Sequence, residues 1–107
     1  MRLLIPTRTD VPAWSEQVQI LGVNLELAMC WNGRGKFWSL SVSTQQGEPI
    51  ALGIRVVADY DLWAQLQDAR LPRGSLYALD TSGRGEPPGR ADLGIRVMLI
   101  FSAEDAS

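Results

Sequence analysis

The chain has 107 residues, 46% of them apolar, and a formal net charge of −2. That length suits one domain whose core needs no metal or disulfide staple, and the charge excludes a general attraction to nucleic acid or to an anionic membrane. No apolar run reaches the ~20 residues of a membrane span, and the three apolar residues before Pro6 are too few for a secretory signal, so the expectation is a single β-domain over residues 1–107, retained in the cytoplasm where it is made.

In chain order, residues 2–5 read as a short strand ended by Pro6, and residues 7–13, with Asp10 and Pro12, as irregular. Residues 14–21 alternate from Glu16 onward, with Val18 and Ile20 on one face and Gln17 and Gln19 on the other. Residues 23–31 carry the cleanest alternation: Val23, Leu25, Leu27, Met29 and Trp31 oppose Asn24, Glu26, Ala28 and Cys30. Asn32-Gly33 is a strong hairpin signal, because both residues tolerate positive φ. The Arg34-Gly35-Lys36 that follows lengthens the loop. Residues 37–43 alternate again, Trp38, Leu40 and Val42 against Phe37, Ser39, Ser41 and Ser43. After the Gln45-Gln46-Gly47 turn, residues 49–57 form an apolar strand with a bulge or bend expected at Gly53.

Residues 59–69 break this rhythm. Asp59 or Asp61 is expected to cap one short helix near residues 60–68, with Leu62, Trp63 and Leu66 inward. Pro72-Arg73-Gly74 stops it. Residues 75–80 read as a strand, 81–92 as a Gly- and Pro-rich loop, and 94–102 as the last strand. About seven short antiparallel strands with turns every eight to twelve residues predict an all-β domain, a small β-barrel or a sandwich.

Little in this chain suggests catalysis. It has no histidine and one cysteine, so zinc and a Cys–His nucleophile are both disfavoured. Cys30 reads as a small buried hydrophobe. Asp59, Asp61 and Asp68 do not have calcium-loop spacing. The glycines of "NGRGK" and "SGRGEPPGR" lack the Lys-Ser/Thr of a phosphate loop and read as turn residues. Glu16 and Glu26 read as exposed sheet charges rather than a glycosidase pair. No metal, cofactor or catalytic residue is expected. Trp31 and Trp38 read as core, and Trp63 as a clamp on the short helix. Trp14 is the least determined. An exposed tryptophan platform would suit carbohydrate or single-stranded nucleic acid.

One ordered set of motifs spans roughly residues 3 to 102. It runs from Ile5-Pro6 through Cys30-Trp31-Asn32, Arg34-Gly35-Lys36-Phe37-Trp38 and Gly47-Glu48-Pro49-Ile50. It continues with Gly53-Ile54-Arg55-Val56-Val57, Asp61-Leu62-Trp63 and Pro72-Arg73-Gly74-Ser75-Leu76, then Leu79-Asp80 and Asp92-Leu93-Gly94-Ile95-Arg96-Val97. In this set the chain resembles the small plug family of contractile-tailed phage baseplates. The stretch Ser39-Leu40-Ser41-Val42-Ser43 is plainer than the aromatic strand usual there.

The resemblance implies a non-enzymatic virion component, assembled in the host cytoplasm and present in several copies at the centre of a tail baseplate. Its partners would be hub, spike and tail-tube or tape-measure proteins, without nucleic-acid sequence recognition or membrane insertion. The loops 81–92 and 32–36 and the segment 7–14 are then the docking candidates, through Asn32, Arg34, Lys36, Arg84, Arg90 and Trp14. If the barrel is not closed, unpaired strand edges at residues 2–5 or 94–102 offer a second mode, strand addition by a tail protein. The alternative is a stand-alone β-barrel module binding carbohydrate or single-stranded nucleic acid.

Overall fold

The computed structural model describes residues 2–8, 10–64, 66 and 70–103, which form seven strands and no helix. The strands are β1 (Arg2–Ile5), β2 (Ala13–Ile20), β3 (Val23–Asn32), β4 (Phe37–Thr44), β5 (Pro49–Arg55), β6 (Ser75–Asp80) and β7 (Val97–Ser102). They build two antiparallel sheets, β2-β3-β4-β5 and β1-β7-β6. Among the described residues no ladder joins one sheet to the other, so the architecture is a two-sheet sandwich and not a closed barrel.

Period-two alternation decides which side chains meet between the sheets. Leu25, Leu27 and Met29 of β3 and Trp38, Leu40 and Val42 of β4 are buried on one inner face. Ile5 of β1, Leu76 and Ala78 of β6, and Val97, Leu99 and Phe101 of β7 are buried on the other. One continuous core results, and each fully buried leucine in it contributes about 2 kcal/mol. The bulge expected at Gly53 is present. The β4–β5 register shifts between Leu40 and Val42, and Gly53 takes φ +70, a conformation open to glycine.

The helix near residues 60–68 is not formed where the chain is described; Gln65 and residues 67–69 lie outside the described residues. Asp61 explains why. Its Oδ1 accepts hydrogen bonds from the amides of Trp63 (3.0 Å) and Leu76 (3.2 Å). The first bond makes a turn; the second ties that turn to β6. The Leu62 amide donates to the Leu76 carbonyl (2.6 Å) and the Asp59 amide to the Ala78 carbonyl (2.8 Å). These amides are ones that a helix starting near residue 60 would leave unpaired in its first turn; what the pairing fixes is the path of residues 58–62 along β6. Among the described residues, the bonds that follow are turn bonds, from the Ala64 amide to the Asp61 carbonyl and from the Leu66 amide to the Trp63 carbonyl. Trp63 is nevertheless buried, tilted against Phe101 at 5.9 Å between ring centroids.

Two side chains differ from expectation. Glu16 is not an exposed sheet charge. It shares the inner face of β2 with Trp14, Val18 and Ile20, opposite Leu27, and burial raises its pKa. Cys30 is exposed, because it falls on the outer face of β3 with Asn24, Glu26 and Ala28.

Candidate functional site: the loop end around Trp38

The three segments singled out as docking candidates converge at one end of the sandwich, and Trp38 is where they meet. Its indole Nε1–H donates to the Gly89 carbonyl at 3.0 Å, across 51 residues of sequence. Arg90 lies over the same ring, 5.5 Å from its centroid. Trp31 packs edge-on at 5.5 Å, and its own amide donates to the Pro12 carbonyl at 2.7 Å. Segment 7–14, turn 32–36 and loop 81–92 therefore share one support.

The turn between β3 and β4 is built by Asn32. Its side-chain oxygen accepts from the amides of Arg34 and Gly35, both at 3.0 Å, and its carbonyl accepts from the Lys36 amide at 2.8 Å. Lys36 closes the turn with φ 58. Asn32 is thus a scaffold residue. The groups the turn presents are Arg34 and Lys36, both exposed and, among the described residues, in no ion pair.

Loop 81–92 is held by a carboxylate–arginine frame. Buried Asp80 accepts from the Ser82 hydroxyl (2.7 Å), the Ser82 amide (2.9 Å) and the Glu86 amide (2.9 Å), and pairs with Arg96 at 3.0 Å. The Ser82 hydroxyl first, then these amides and Arg96, hold its carboxyl well below the usual carboxylate range. Arg96 also donates to the carbonyls of Glu86 (3.2 Å) and Pro87 (2.8 Å) and to Asp92 (3.1 Å). Asp92 accepts from the Gly89 amide at 2.6 Å, and that bond, with Arg96, lowers its pKa as well. A loop rich in glycine and proline is therefore fixed along most of its length.

Of the residues singled out, Arg84 is exposed at the tip, 3.8 Å from Glu86 and hydrogen-bonded to Ser82. Arg90 is half-buried against Trp38, and its charge adds to the lowering of Asp10, whose main cause is the Arg8 side chain. Trp14 does not lie on the surface of this end. It is buried on the inner face of β2 opposite Met29, in the core. Asp80 and Arg96, which give the loop its shape, were not singled out. They stood in the sequence only within the motifs Leu79-Asp80 and Asp92-Leu93-Gly94-Ile95-Arg96-Val97.

Chemically, this end is a rigid, mostly cationic surface. Arg55 extends it on the neighbouring face, 4.7 Å over the Phe37 ring. Among the described residues no three carboxylates or thiols converge as metal ligands. A surface of this kind can bind carboxylates of a folded partner with little ordering cost.

No curated protein matches the chain. The family model described as cyanophage baseplate Pam3 plug gp18 matches residues 2–104, nearly the whole sequence and both sheets of the sandwich. The chain therefore belongs to the cyanophage baseplate Pam3 plug gp18 family.

Proposed function

We propose that this protein is a structural component of a contractile phage tail, a plug at the centre of the baseplate that joins hub, spike and tail-tube proteins. It performs no catalysis and needs no cofactor. Several copies assemble in the host cytoplasm and remain in the virion. The observation that carries this reading is the family match over residues 2–104. The loop end supports it: Arg34 and Lys36 project from a turn organised by Asn32, beside a loop braced by Asp80 and Arg96.

The tryptophan exposures speak against the carbohydrate or single-stranded nucleic-acid alternative. Trp14, Trp38 and Trp63 are in the core and Trp31 is half-buried, which leaves no tryptophan platform for stacking. The test is deletion of the coding sequence, followed by complementation. Particles made without the chain should have incomplete baseplates, restored by the unaltered chain. Complete, infective particles from the deletion would refute the role.

A further inference from the structure

Most sandwiches of this size turn apolar side chains in and polar ones out on both sheets. The four-stranded sheet does so for the most part: its outer face carries Ser15, Gln17, Gln19, Asn24, Ser39 and Ser41, with Leu52 of β5 its exposed large apolar residue. The three-stranded sheet does not. Leu4, Ile100 and Tyr77 line up in one cross-strand row on its outer face, and Met98 and Leu79 form the next. Leu4 is 61% exposed. The run Val97-Met98-Leu99-Ile100-Phe101 has the composition of a strand buried on both faces. Among the described residues, the core covers the face of Val97, Leu99 and Phe101, while Met98, Ile100, Tyr77 and Leu79 on the other face stay partly exposed.

Strand addition at the sheet edges is the competing mode, and each edge is blocked. Strand β7 is central in its sheet, so residues 97–102 offer no edge, and β1 is four residues long and followed by Pro6. Backbone and carboxylates of Ala58, Asp59, Asp61 and Leu62 cover β6. Strand β5 begins at Pro49 and is bulged, and β2 turns Glu16 inward. Short, bulged, proline-bearing and inward-charged edges resist pairing with another chain.

Charge narrows the occupant. At the row Arg2–Ser102–Ser75, Arg2 lies at one end of the apolar face, and Arg73 stands two residues before Ser75. Both arginines are exposed and, among the described residues, neither makes an ion pair. We infer that the outer face of β1-β7-β6 is a second docking surface, which takes a different baseplate protein presenting an apolar patch with carboxylates at its Arg2–Arg73 edge. This inference rests on the baseplate role proposed above. It makes the protein a two-sided adaptor, cationic at the loop end and apolar on this sheet.

The experiment is site-specific photo-crosslinking in assembled particles. A benzophenone amino acid replaces Leu4 or Tyr77 and, as controls, Gln17 or Ser41 on the polar sheet. The expected result is adducts to another virion protein from positions 4 and 77, at several-fold higher yield than from 17 and 41. The partner peptide should contain apolar residues and Asp or Glu. Adducts from positions 17 and 41 alone, adducts from 4 and 77 only to a second copy of this chain, or none from 4 and 77 would each overturn the surface while leaving the baseplate role standing. Absence of even the unsubstituted chain from particles would instead overturn that role, and this surface with it.

Discussion

Replacing Trp38 by phenylalanine tests whether one indole holds the loop end together. Trp38 is fully buried, and its Nε1–H is the donor to the Gly89 carbonyl. Losing that bond costs about 1 kcal/mol. The smaller ring removes roughly two methylene equivalents of buried surface, about 1.5 kcal/mol at ~0.8 kcal/mol each. Incomplete collapse around the gap adds to this, so the sum is about 2–3 kcal/mol. For a domain of this size the melting temperature should fall by about 10–20 °C. Urea denaturation followed by the fluorescence of the remaining tryptophans measures the cost. Hydrogen exchange supplies the local readout. The Glu86 amide is held by Asp80 and should stay slow, whereas the Gly89 amide, nearest the lost bond, should exchange faster. A cost below about 1 kcal/mol, with Gly89 exchange unchanged, would refute the role given to Trp38.

Other predictions follow from single features. Gly74 has φ +150, and a Cβ there would lie 2.5 Å from Phe101 Cζ and 2.6 Å from the Ser102 carbonyl oxygen. Gly74→Ala should therefore destabilise by about 1–3 kcal/mol in the same denaturation assay. Glu16 has a raised pKa in the fold, so its ionised form opposes folding and its unfavourable effect grows as pH rises through the carboxylate range. Glu16→Gln should raise the melting temperature at pH ~7 and leave it unchanged below pH ~4. Asp80 and Asp92 have lowered pKa values, so the stability they contribute is present above their unfolded value of 3.8 and is lost as pH falls through the folded values. In Asp80→Asn the acid limb of the stability profile should flatten, measured by thermal melts between pH ~2 and ~7. Arg34→Glu with Lys36→Glu should leave the melting curve unchanged yet reduce incorporation into particles, measured against the sheath protein.

Much of the fold was legible because strand alternation is local. The polar–apolar period of β3 and β4, and the bulge at Gly53, follow from neighbouring residues alone. The helix expected near residues 60–68 failed for a non-local reason. Asp61 satisfies the Leu76 amide fifteen residues away, and no helical pattern reveals that demand. Trp14 was undetermined because Glu16 interrupts the apolar face it shares with Val18 and Ile20, so the alternation did not extend back to it. Arg34 and Lys36 could be placed at a turn by Asn32-Gly33. That this turn, Pro12 and Gly89 meet around Trp31 and Trp38 depends on the packing of two sheets, which composition and spacing do not encode. The apolar outer face of β7 left a trace in the unbroken run from Val97 to Phe101, but which of its two faces the core covers depends on the pairing with β1 and β6.

The most direct test of the central claim is quantitative mass spectrometry of purified contractile particles. A baseplate plug predicts this chain in every preparation at a few copies per particle, far below the tube and sheath proteins and in constant ratio to the hub. Its absence from particles, in cells that express it, would contradict the account.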